Sequence, residues 1–182
     1  MRHNVFVSYH HVNDQYYKNE FEKLFSNHYD ILVTKSVQIG DINPSLPTER
    51  IRQKIRDEYL RDSTVTVVLI GADTWKRKHV DWEIGSSLRQ TQYNSRSGLI
   101  GILLPDYHSY YNVEYGKFNH NSVPPRLSDN LKNDYAEIYD WSNNPSDVQQ
   151  WIHNAFERRN KLNPDNSFPS FINNRSGQYW QR

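Results

Sequence analysis

An α/β domain, with a central parallel sheet of about five strands, flanking helices and an irregular C-terminal extension, is the fold class that three features of the chain predict. Short β-branched and aromatic runs alternate with segments of helical period, the pattern of repeated strand–helix units. The most apolar run, Thr64 to Ala72, is continuous rather than alternating, as in a central parallel strand buried on both faces. A length of 182 residues supplies one such domain and leaves little for a second, so the organisation expected is a domain over residues 1–160 and a tail over 161–182.

Val5 to Tyr9 reads as the first strand, ending in His10-His11, and Tyr17, Phe21, Leu24 and Phe25 recur at helical spacing after it. Ile31-Leu32-Val33 is a second short strand. Lys35 to Pro47 holds Gly40, Asp41, Asn43, Pro44 and Pro47, too many turn residues for regular structure, and predicts a long loop. A helix follows over about Thr48–Arg61, with Ile51, Ile55, Tyr59 and Leu60 on its inner side and a proline near its start that fits a first-turn position. After the central strand, Val80, Ile84 and Leu88 predict a helix from about Val80 to Gln92, and Leu99 to Leu104 a further strand closed by Pro105. Asp106 to Asn130, with four tyrosines and Pro124-Pro125, breaks the alternation and reads as a surface insertion, functional or partner-facing. Tyr135 to Trp141 alternates with period two, as an edge strand does, and Ser146 to Asn160 is helical, with Val148, Trp151, Ile152, Ala155 and Phe156 inward. Lys161 to Arg182 has no periodicity and is expected to be loosely packed or disordered.

Composition removes several functions. Twenty-two Lys and Arg face 21 Asp and Glu, a net charge of +1, so there is no basic excess for a nucleic-acid partner. The absence of cysteine removes thiolate metal sites and a cysteine nucleophile. No segment has the roughly 20 apolar residues of a membrane span, and a soluble, cytoplasmic protein without a membrane partner is expected. Dinucleotide-fold, P-loop, zincin and serine-hydrolase motifs are missing. A receiver-type phosphoacceptor needs an acidic pair where this chain has His10-His11. That histidine pair lies at a ligand-bearing strand end, but adjacent residues rarely share one metal, so no metal site is expected. Aromatic residues make up 14% of the chain, suited to packing a core or to stacking on a ligand ring.

The stretch from Thr74 to Ile84 carries the most chemistry. With a helix starting near His79, His79 and Glu83 share a face while Val80 and Ile84 turn to the sheet. A carboxylate among Trp75, His79 and Trp82 can stabilise a developing cation such as the oxocarbenium-like transition state of glycosidic cleavage. The same residue also fits a plainer role, offsetting the helix dipole or pairing with Lys76, Arg77 or Lys78.

Val5 to Tyr9, Val65 to Gly71, Trp75 to Glu83 and Pro125 to Asn130, in this order along the chain, together resemble the TIR domain family, specifically the bacterial TIR-like group that includes the NAD-cleaving sensor subunit of the Thoeris anti-phage system. Val5-Phe6-Val7-Ser8-Tyr9 is similar to the family's F-x-S-[FY] strand and Val65 to Gly71 to its central strand. Trp75 to Glu83 is similar to the W-x-x-x-W-V-x-x-E block, with His79 in place of the second Trp. Pro125 to Asn130 also matches a segment of this subfamily. The resemblance implies a flavodoxin-like TIR fold and an enzyme breaking the nicotinamide–ribose bond of NAD, with NAD as substrate and no other cofactor. Glu83 is then the catalytic carboxylate, and Ser8, Tyr9, His10, His11, Trp75 and His79 bind substrate. Tyr9 and Trp75 serve equally well as packing residues. The resemblance further implies a diffusible, cyclic ADP-ribose-type signal that activates a separate effector, a phage trigger, and self-association through the 35–47 loop. Two other classes fit the same residues: a non-enzymatic TIR interaction module, and a nucleoside deoxyribosyltransferase-like enzyme.

Overall fold

The computed structural model describes residues 2–25, 30–33, 42–43 and 45–182. The assembly role expected of the 35–47 loop falls largely outside them. Five parallel strands, β1 (His3–Ser8), β2 (Ile31–Val33), β3 (Val65–Ile70), β4 (Gly98–Leu103) and β5 (Ala136–Asp140), form one sheet in the order β2-β1-β3-β4-β5. The order reverses between β1 and β3, where Ser8 lies beside Val68. In an open parallel sheet, ligands bind outside the carboxyl ends of the strands at this reversal.

Period-two alternation decides what each face meets. Val5, Val7, Val67, Leu69, Ile100 and Ile102 face α1 (Gln15–Phe25) and α6 (Pro145–Lys161), packing on Phe21, Phe25, Val148, Ile152 and Ala155. Phe6, Val68, Ile70, Leu99 and Leu103 face the other layer. That layer contains α2 (Thr48–Lys54), with a wider final turn over Ile55–Tyr59, and α3 (Lys78–Ser87), α4 (Pro105–Tyr111) and α5 (Pro125–Lys132). Ser8 has the parity of Phe6 and therefore points toward α3. This alternation brings the end of β1 to the Glu83 helix.

Three expectations change. The α3 helix stops at Ser87 rather than near Gln92: the Ser86 and Ser87 hydroxyls bond back to the Trp82 and Ile84 carbonyls, and the Ser87 carbonyl accepts the Ser97 amide. The 106–130 stretch is no surface excursion. Pro105 and Pro125 each open a helix, Asn112 closes α4 in the left-handed region at φ 52°, and Tyr107, Tyr111, Val123 and Leu127 are buried against β3 and β4. Tyr107 and Tyr111 are core residues four apart, and the Tyr107 hydroxyl is satisfied by Ser122 at 2.6 Å. The tail is irregular but not loose, since Phe168, Phe171 and Trp180 close around Trp75 in a cluster of their own. Aromatics at irregular spacing leave no period to read, yet each buries a large apolar area.

Gly98 marks the closest approach of α6 to the sheet. A Cβ there would overlap the backbone carbonyl of Ala155, which cannot swing aside. Gly98→Ala is expected to cost about 1–3 kcal/mol or more through forced separation of α6 from β4, read as a lowered denaturant midpoint with an unchanged m-value.

Candidate active site

Glu83 projects from the second turn of α3 into the reversal point. Its side chain is fully buried, and Ser8 Oγ donates a hydrogen bond to Oε2. Among the described residues Oε1 has no partner. Burial pushes the carboxyl up to about 8, against a smaller downward pull from the Ser8 hydroxyl. At neutral pH the group is therefore mostly neutral, unlike a carboxylate that pairs with surface lysines, and the plainer ion-pair role is not the one it plays. The residue sits at 0% exposure. Removing the hydroxyl in Ser8→Ala is expected to move the Glu83 titration further up, measured by carboxyl 13C NMR assigned through Glu83→Gln. A downward movement would contradict this pairing.

The residues after β1 form a compact aromatic group beside this pair. Tyr9 is 1% exposed, donates its hydroxyl to Gln15 Oε1 at 2.8 Å, and has its phenol pushed up by burial and by the Glu83 charge. Its backbone carbonyl accepts His79 Nε2–H at 3.1 Å, which fixes the His79 tautomer, and burial lowers that imidazole to about 4. The His11 ring lies 4.6 Å from Tyr9 and 4.7 Å from His79. His10 turns aside, its Nδ1 accepting the Asn13 amide at 3.2 Å, and both His10 and His11 are held below the usual imidazole range, chiefly by burial. His79 and His11 thus present neutral, flat, half-buried rings near the carboxyl. Among the described residues no group of three or more His, Asp or Glu side chains is arranged to hold a metal.

Trp75 is placed differently from the residues after β1. Its ring is 1% exposed inside the Phe168–Phe171–Trp180 cluster, and Nε1 donates to the Tyr111 hydroxyl at 3.1 Å. The structure gives it packing contacts with the tail, the alternative that its sequence context left open. Trp82, expected to flank Glu83, packs on Phe6, Ile51, Ile55 and Leu60.

Two groups near the site carried no readable signal. Asp14 is 2% exposed, accepts from Thr74 Oγ1 at 3.4 Å beneath Gly71, and burial raises it to about 6. Asp81, two residues before Glu83, forms a buried ion pair with Arg126 at 3.1 Å. Arg126 lies within the Pro125–Asn130 segment already singled out, but its partner is 45 residues away in sequence and no local period joins them.

The five-stranded parallel sheet with helices on both faces is a doubly wound α/β domain, and Glu83 is buried at its β1/β3 reversal. The family model for the Thoeris protein ThsB, TIR-like domain, matches residues 6–109, and the chain belongs to that family. Membership places it among TIR-domain signalling proteins. Among solved structures it is similar to the TIR domains of the activated Roq1 resistosome that directly recognises the pathogen effector XopQ, at 10% identity and a TM-score of 0.34 over 88% of this chain and 86% of that one. No curated protein matches the chain. No described helix is long and apolar enough to cross a membrane.

Proposed function

We propose that the protein cleaves the nicotinamide–ribose bond of NAD with Glu83 as the reacting carboxylate, and that it releases a cyclic ADP-ribose-type nucleotide that activates a separate effector in anti-phage defence. The observation that carries this reading is a single buried glutamate, held by Ser8, at the point where a parallel sheet of this order binds its ligands. Family membership supports it.

The chemistry follows from charge. Nicotinamide in NAD is cationic, so breaking the C–N bond sends the electron pair to a leaving group that becomes neutral, and positive charge develops on the ribose. A carboxylate beside that carbon stabilises the cation, which a nucleophilic atom of the same molecule or water then captures. Glu83 is neutral in the free chain at pH 7 and must lose its proton to act. A cationic ring next to it favours the charged form, so substrate binding and deprotonation are coupled. Ser8 holds the carboxyl, Tyr9 feels its charge, and the neutral rings of His11 and His79, 4.7 Å apart, suit stacking.

Nicotinamide release measured at high protein concentration, with mass spectrometry of the products, tests the reading. The expected kcat/KM rises with pH through about 8, because the free protein must ionise Glu83, while the kcat profile has a lower midpoint because bound substrate has already lowered it. No release by concentrated wild-type protein from expressing cells challenged with phage would leave the interaction-module reading in its place.

A further inference from the structure

The outward stripe of α3 is covered rather than solvated. Lys78, Asp81, Trp82 and Gly85 follow the i, i+3, i+4, i+7 spacing of one helix face, and the segment from Asn166 to Arg175 lands on all four. Asn174 Oδ1 accepts the Lys78 amide at 2.9 Å, which caps a helix whose own N-cap residue, Arg77, provides no side-chain bond. The Phe171 amide donates to Asp81 Oδ2 at 3.0 Å, and its carbonyl accepts Trp82 Nε1–H at 2.8 Å. Asn166 Nδ2 donates to the Gly85 carbonyl at 3.0 Å. Just before α3, the Arg175 amide donates to the Lys76 carbonyl at 2.8 Å. Arg126 ties the segment down, bonding Asp81 on one side and the carbonyls of Asn166 and Phe168 on the other. Glu83 lies inside this bracket and faces away from it, toward Ser8.

We propose that the C-terminal segment 166–175 is a strap that positions Glu83, gripping the outer stripe of α3 and holding the helix at the rotation that turns this carboxyl onto Ser8. The hydrogen-bond partner of the carboxyl is Ser8 and not a strap residue; the strap acts through Asp81, Trp82 and Gly85. The catalytic consequence rests on the reading of Glu83 as the reacting group. The positioning itself does not, because Ser8 is the hydrogen-bond partner of Glu83, and Tyr9, whose phenol its charge pushes up, is the titratable neighbour. The titration of Glu83 therefore reports how tightly α3 is packed.

Two variants of the full chain test the strap. Phe168→Ser/Phe171→Ser releases it, and Trp82→Phe removes one strap bond while keeping an aromatic ring in the core. Hydrogen exchange along α3, the Glu83 titration by carboxyl 13C NMR, and kcat and KM for nicotinamide release are read on each. The expected result is faster exchange confined to α3, a Glu83 midpoint shifted toward the ordinary carboxylate range, and kcat lower by about tenfold or more for the released strap at a KM changed by less than about twofold. Trp82→Phe is expected to show the same pattern at smaller size, and decides the matter alone if the double variant does not fold. A Glu83 midpoint and kcat equal to wild type in protein whose α3 exchange has risen would overturn the proposal. If the wild-type chain cleaves no NAD, the exchange and titration still decide the strap, and only the enzymatic reading falls.

Discussion

Glu83→Gln is expected to abolish nicotinamide release and, in the same protein, to raise the melting temperature at pH 8. Both effects have one cause. The native carboxyl titrates at about 8, whereas an unfolded glutamate titrates at its ordinary value near 4.5. The folded chain therefore holds a proton that the unfolded chain gives up. The stability this supplies is fully present below about pH 4.5 and is lost as pH rises through about 8. Glutamine keeps the shape of the neutral acid and still accepts from Ser8, but cannot ionise, so it escapes the loss. For a chain of this size each kcal/mol corresponds to about 2–4 °C in Tm, and the difference between variant and wild type should shrink toward zero by pH 5. Calorimetry at the two pH values, beside the activity assay, reads both halves. A variant less stable than wild type at pH 8 would mean that the carboxyl is charged and paired in the native protein, against the structure.

The second large effect is expected at Arg126. Its guanidinium is fully buried with Asp81 at 2% exposure, so Arg126→Ala leaves a buried carboxylate facing an empty space and breaks three bonds to the tail. Breaking a buried pair from one side costs about 3–5 kcal/mol, which appears as a lowered urea midpoint. The double change Arg126→Met/Asp81→Asn removes both charges and should recover part of that loss, because the penalty comes mostly from the uncompensated partner rather than from the attraction. Equal losses in the single and double variants would show that the tail bonds, not the charge pair, dominate.

The sheet and its helices were legible because their signals are local. Val65 to Ile70 is continuous and apolar because it is buried on both faces, and Val80 and Ile84 repeat because one side of α3 meets the sheet. Glu83 was legible as a carboxylate near a strand end, since strand and helix lie within a few residues of it. Its protonation was not: a neutral glutamate and a surface ion-pair glutamate are written alike, and full burial, which separates them, comes from β1 and α3 closing together. The tyrosines after Pro105 misled because their density suggested a surface role, while the four-residue spacing of Tyr107 and Tyr111 was the sign of a buried helix face.

The sequence alone therefore determined the parallel α/β sheet, the family motifs and the placing of Glu83 on the helix after the central strand, all of which rest on neighbours within a turn or a strand. Only the tertiary structure decided that Trp75 belongs to the tail cluster, that Asp81 pairs with Arg126, and that an aperiodic C-terminal segment grips α3. Those contacts join residues far apart in the chain, and their partners are selected by shape, charge and hydrogen bonding when the layers close, with no repeat in the sequence to announce them.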